Sequence, residues 1–365
     1  MTTGQQHLAA AQAVPGTAAE AAGIASLAVR DLLHGPQQAG QVLAVVQGML
    51  IVAFPGAPRE PRVMAISAPD AVRLPNAIIA GIPAAALAAT VPAVSAASSA
   101  TGPQKTHKIQ KAQKKTTKTT ELPDGTASTG GGWVRIGGLN VQARRWWDPS
   151  PVFGPLSRGR LDQGAAVLTR ACRQAAPGPA LADHEATKEL AVCCAAGDLA
   201  GAVEHAERLV GLGAGIVPAG DSVLCGLLLA LRLLGGAITG GSRAVWLADW
   251  LSAAVTSYAS ERTTPLAASL LHCAARGQAS AEVAAVLHGV AGEDPVEPAA
   301  RRLLTVRSAA PSAAAALTVS SRRAAGSTGS SPATPCSTAA TSADAWPRAA
   351  QCSREAASGV VRSEA

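Results

Sequence analysis

The chain has 365 residues, 48% of them hydrophobic but only nine aromatic (six Trp, two Phe, one Tyr), so its length suits one large domain or two small ones with Ala, Leu and Val filling the core. The net charge of +7 is not spread over the chain. Lys105, Lys108, Lys111, Lys114, Lys115 and Lys118 against Glu121 and Asp124 give +4, six arginines after Val306 against three acids give +3, and the remainder balances. With the basicity confined to two polar segments that carry no interleaved aromatics, a nucleic-acid function is set aside.

In chain order, Ala18 to Leu33 reads as a helix closed by Gly35-Pro36, with apolar residues at Ala22, Ile24, Leu27, Val29, Leu32 and Leu33. Three β-rich runs follow, Gln41 to Phe54, Arg62 to Ser67 and Val72 to Ile82, separated by Gly/Pro punctuation. Residues 101–132 form a lysine-rich segment without a core-forming face, which predicts a flexible, disordered insertion. Beyond it, Trp133-Val-Arg-Ile and Leu139-Asn-Val-Gln flank Gly137-Gly138 and spell a hairpin, and Trp146-Trp147-Asp148-Pro149 closes the β-rich part.

After residue 158 the pattern is helical. The spacing predicts helices near residues 159–175, 182–195, 198–211, 221–235, 242–260, 263–276, 280–290 and 296–304. The fold class is therefore α+β, a β-rich N-terminal half packed on an α-helical C-terminal half. Its parts are a helix and β-rich region (1–100), the insertion (101–132), the hairpin (133–158) and a helical domain (159–306). Apolar periodicity stops after Val306, leaving a Ser/Ala/Thr/Arg tail at 307–365 that reads as disordered or as the product of a frameshift in a GC-rich gene.

The most informative stretch is Gly211-Leu-Gly-Ala-Gly-Ile-Val-Pro-Ala-Gly-Asp221-Ser222, which leads into the apolar run Val223 to Leu234. Four glycines and a proline cannot continue a helix, and a glycine-rich turn before a helix offers free N–H donors and a positive dipole end to an anion. The same residues also suit a plain connector in which Gly211 or Gly213 ends one helix and Asp221 caps the next. Arg262-Thr263-Thr264 opens a later helix with a guanidinium fork and two hydroxyls, a set that suits a carboxylate or phosphate or else simply caps a surface helix.

The loop resembles the signature of the oxamate carbamoyltransferase subunit AllH family, in which the stretch looks like Gly-Leu-Thr-Pro-Ser-Gly-Asp-Asp. The matching residues are Gly215, Ile216, Val217, Pro218, Ala219, Gly220, Asp221 and Ser222. Val217 stands where the family has threonine, Ala219 where it has serine and Ser222 where it has a second aspartate. The backbone cradle is thus retained without those side chains. Val63 to Asn76, Trp133 to Pro149 and Arg262 to Leu271 extend the resemblance over roughly residues 20 to 306.

The resemblance implies a subunit of a carbamoyl-transfer complex in purine (allantoin) breakdown, with carbamoyl phosphate or oxamate as the small anionic substrate and FdrA-like partner subunits. On that reading Gly213, Gly215 and Gly220 supply N–H donors, Arg262 and Thr263 hold an anion, and Asp221 is the catalytic candidate, orienting a loop donor or a metal. The competing reading is a non-catalytic interaction subunit or degenerate homologue that contacts an FdrA-like partner.

Other chemistry is sparse. Glu204, His205, Glu207 and Arg208 share a polar helix before the loop, and His272 and His288 have no helical partner at i, i+4. No metal-binding pattern is evident, and cofactor use stays open. The seven cysteines (Cys172, Cys193, Cys194, Cys225, Cys273, Cys336, Cys352) show neither metal spacing nor a disulfide framework. No signal peptide is apparent, and Val223 to Leu234, interrupted by Arg232, is too short to span a bilayer. A cytoplasmic location and no membrane partner are the expectations.

Overall fold

A computed structural model describes residues 19–46, 48–57, 60–90, 126–175 and 184–308. The chain divides into two units, Met1–Val319 and Ser320–Ala365, and every described residue lies in the first. Most of the lysine-rich segment and nearly all of the tail therefore fall outside the described residues.

The β-rich half is a closed eight-stranded barrel. Its strands are β1 (Ala19–Ser26), β2 (Gln38–Val46), β3 (Met49–Ala57), β4 (Glu60–Ser67), β5 (Ala77–Ala80), β6 (Thr126–Gly130), β7 (Trp133–Ile136) and β8 (Leu139–Trp147), in the order β1-β5-β4-β3-β2-β6-β7-β8. Neighbours are antiparallel except β1 with β8 and β4 with β5. Inward side chains including Leu50, Val52, Met64, Ile66, Ile78, Val134 and Val141 fill the interior. Two short helices contribute to the same core from opposite ends: α1 (Arg30–His34) through Leu32 and Leu33, and α2 (Ala84–Ala89) through Leu87.

The expected N-terminal helix is corrected here. Within that stretch Ala19–Ser26 is strand β1, Leu27–Val29 is a 3₁₀ turn, and only Arg30 to Leu33 belong to a helix, α1. Alanine favours helix locally, but Ala21, Gly23 and Ala25 alternate inward, and pairing with both β5 and β8 overrides that preference. A Cβ on Gly23 would lie 2.9 Å from Ile78 and Val141. Strand β6 likewise lies inside the segment read as an insertion. Of the β-rich runs, Gln41 to Phe54 splits at Gly48 (φ +75°), and Val72 to Ile82 retains strand only at Ala77–Ala80. The β7–β8 hairpin forms as the sequence predicts, with Ile136 opposite Leu139 across Gly137-Gly138.

The helical half comprises α3 (Arg158–Ala175), α4 (Glu185–Ala196), α5 (Leu199–Leu209), α6 (Ala219–Leu229), α7 (Gly235–Ala237), α8 (Ser242–Arg262), α9 (Pro265–Ala275), α10 (Ala281–Val290) and α11 (Val296–Ser308). A π-helical turn at Ala230–Leu234 joins α6 to α7. The run Ala219–Ala237 is long and apolar enough to cross a membrane by length and composition, yet Leu224, Leu228, Leu229 and Leu234 sit in the helical core. A core helix meets the same criterion.

The two halves meet where α9 crosses β4. Leu266 and Leu270 of α9 pack on Ile51, Val63, Ala65 and Ala77 of the outer barrel wall, and Ile216 and Val217 of the glycine-rich loop join them. Buried Asn76 ties the halves together, its amide donating to the Val63 carbonyl and to Ser269 Oγ on α9, both at 3.0 Å.

Candidate functional site

Helix α5 is capped by Asp198, whose carboxylate accepts from Gly201 N–H, and it stops at Val210 (φ −61°, ψ 122°). Gly211 then turns at φ +74°, where a Cβ would lie 2.3 Å from the Arg262 carbonyl oxygen. Only glycine satisfies both conditions. Gly213 and Gly215 follow at φ +110° and +106°, and Pro218 (φ −54°, ψ 149°) is the N-cap that leads into α6. The helix starts two residues before the expected position.

Two bonds close the base of the loop. Gly220 N–H donates to the Leu212 carbonyl at 2.8 Å, and Gly211 N–H donates to Asp221 Oδ1 at 3.0 Å. The other Asp221 oxygen accepts a short hydrogen bond from Thr263 Oγ1. Thr264 fixes the middle of the loop by donating to the Ile216 carbonyl at 2.6 Å, while its oxygen accepts from Ala267 N–H and caps α9. The pair Thr263-Thr264 is thus a clip that holds the glycine-rich loop at both base and middle.

Asp221 is fully buried. Burial pushes its carboxyl above the ordinary value of 3.8, while the hydrogen bonds from Thr263 and from Gly211 pull the other way. Its first-turn position also places its charge at the positive end of the α6 dipole.

The sequence-derived candidates separate into two groups. Gly220, Asp221 and Thr263 are brought together, but their polar groups are taken up inside the fold. Gly220 is helical, and its Cβ position lies 1.9 Å from the Leu209 carbonyl oxygen, so it marks the contact of α6 with the end of α5. Gly213 and Gly215 are exposed, and no hydrogen bond among the described residues uses their N–H groups. Arg262 is exposed at the end of α8, its guanidinium 5.7 Å from the Tyr258 ring centroid.

Tyr258 was not indicated by the sequence. Its hydroxyl is buried without a hydrogen-bond partner, and burial together with Glu207 raises its pKa against the opposing pull of Arg262. Cys225, four residues after Asp221 in α6, is held protonated by burial and by the nearby Asp221 charge. Cys273 of α9 is raised to about 11, again chiefly by burial. Neither thiol is poised as a thiolate nucleophile.

Of the histidines singled out in the sequence, His205 on α5 has its Nδ1 buried without a hydrogen-bond partner. His288 Nδ1 is 2.6 Å from Glu293 and its ring stacks on Phe153, while Glu204 pairs with Arg208 at 2.6 Å on the exposed face of α5. Among the described residues no group of three or more His, Cys, Asp or Glu is placed to hold a metal ion.

The geometry defines an exposed glycine turn braced from beneath by an aspartate–threonine clip, at the start of a core helix. The family model described as oxamate carbamoyltransferase subunit AllH matches residues 209–314, from the last residue of α5 through the loop and all of α6 to α11. Comparison with curated proteins and with solved structures gives no match.

Proposed function

We propose that this chain is an AllH-like subunit of a carbamoyltransferase complex and that its glycine turn receives a small anion, carbamoyl phosphate or oxamate. The observation that carries the reading is the pair of unused N–H groups at Gly213 and Gly215, exposed on a turn whose base is rigidly clipped. Carbamoyl transfer needs donors that meet a phosphate or a developing oxyanion, and a braced backbone supplies them without reorganisation. Asp221 acts here as a positioning residue, setting Gly211 and Thr263, while Arg262 lies exposed beyond the loop base as the nearby cation. Purine (allantoin) breakdown, FdrA-like partner subunits and a cytoplasmic location complete the proposal.

A second reading has its own support. Ile216 and Val217 pack on the barrel wall, and each side-chain oxygen of Asp221 and Thr263 already has a hydrogen-bond partner inside the fold. That arrangement suits a subunit that keeps the fold and assembles without turning over. Restoring the family side chains through Val217→Thr, Ala219→Ser and Ser222→Asp separates the two in a carbamoyl-transfer assay with partner subunits. A catalytic loop gains roughly tenfold or more in rate from one productive hydrogen bond to a charged group. Assembly without any change in rate selects the non-catalytic subunit.

A further inference from the structure

Helix α8 buries Leu247, Ala248, Leu251, Val255 and Ala259, leaving Trp246 at 45% and Trp250 at 52% exposure on its opposite face. Their rings are neighbours, with centroids 6.4 Å apart and planes at 59°. Two adjacent half-exposed indoles make a contiguous apolar patch, and tryptophan is enriched where proteins contact one another.

The face continues through exposed Ala253 and Ser257, so Trp246, Trp250, Ala253 and Ser257 follow one another at steps of four, three and four residues. That is the seam spacing of a helix that packs along another helix. The seam is bulky at its N-terminal end and small at its C-terminal end. Its ends also carry opposite charges: exposed Arg243 precedes Trp246, and exposed Glu261 follows Ser257. Arg243 donates one N–H to the Ala196 carbonyl at the end of α4, its guanidinium lies over Gly197, and the residue stays exposed at this end of the seam.

A surface that is large and basic at one end and small and acidic at the other is complementary to itself when turned end for end. We propose that α8 is the two-fold interface of a homodimer, in which two α8 helices pack antiparallel. Trp250 then rests on Ala253 of the second copy and Trp246 on Ser257, while Arg243 comes beside Glu261. Each contact occurs twice, as a closed two-fold interface requires.

Sedimentation velocity on the full chain over roughly 1 to 100 µM tests this, a range suited to an interface centred on one helix face. The expected result is a monomer–dimer equilibrium that Trp246→Ala with Trp250→Ala abolishes, while the circular-dichroism spectrum and melting midpoint stay as in the parent chain. Arg243→Glu and Glu261→Arg each weaken association by roughly tenfold, since every change is felt on both sides of the axis, and the double exchange restores it. A parent chain that stays monomeric throughout overturns the proposal. So does a dimer that survives loss of both tryptophans, a double exchange that fails to restore association, or a monomer that binds only a different subunit.

Discussion

Asp221 concentrates the energetics of the loop in one side chain. Replacing it with alanine strands the Gly211 N–H and the Thr263 hydroxyl, and each buried donor without a partner costs about 1–3 kcal/mol. Asn keeps one acceptor, so Asp221→Asn is expected to lose less than Asp221→Ala in chemical denaturation. Because burial raises the carboxyl above 3.8, the folded state holds this proton more tightly than the unfolded chain does. The stability it contributes is therefore complete below 3.8 and is lost as pH rises through the raised folded value. Melting curves taken across that window should flatten in Asp221→Asn.

Glycines of α6 give a matched pair at the same scale. Gly220→Ala drives a Cβ to 1.9 Å from the Leu209 carbonyl, whereas Gly226→Ala enters open space. The first should destabilise by about 1–3 kcal/mol or more through overpacking, and the second should stabilise by up to about 1 kcal/mol through helix propensity. Equal effects in urea titrations would contradict the close contact of α5 with α6. The sequence marks Gly211, Asp221 and Thr263 as notable residues one at a time. It gives no sign that the carboxylate meets a hydroxyl 42 residues further on, because that contact depends on how α8 and α9 pack against α6.

At the scale of elements, the starts of α9 and α10 were legible because their caps are local. Thr264 accepts from Ala267 N–H, and Ser280 accepts from Val283 N–H at the start of α10, each at the place where the pattern turns helical. Strand β1 was not legible, since an alanine-rich octet has no local reason to be extended and gains its state from β5 and β8. Thr264 joins the element to the loop. Thr264→Val removes both the cap and the bond to the Ile216 carbonyl, so it should cost about 1 kcal/mol globally. Amide exchange around Gly213 to Val217 should accelerate beyond what that loss explains, whereas exchange that tracks global stability alone would mean the clip does not hold the loop.

For the whole molecule, barrel closure lay beyond sequence reading because it rests on parallel pairing of β1 with β8, partners about 120 residues apart. β6 was hidden behind the lysine-rich stretch for the same reason: its pairing with β2 and β7 is specified at a distance. Deleting residues 101–130 removes β6 and should abolish a cooperative melting transition. A deletion confined to 101–120 spares that strand and should leave the transition in place. The joint between barrel and helices turns on Asn76, and Asn76→Ala removes the donor to the Val63 carbonyl and to Ser269 at a cost of about 1–3 kcal/mol.

The glycine turn as an anion site is tested most directly by calorimetric titration of carbamoyl phosphate, inorganic phosphate and oxamate into the full chain and into Gly213→Val and Gly215→Val. Both glycines sit at positive φ, where a β-branched residue is strained, and both carry the N–H groups assigned to the ligand. Either substitution should lower affinity for at least one of these anions by tenfold or more, about 1.4 kcal/mol. Binding that persists at parental strength in both variants would contradict the assignment and place the anion elsewhere on the molecule.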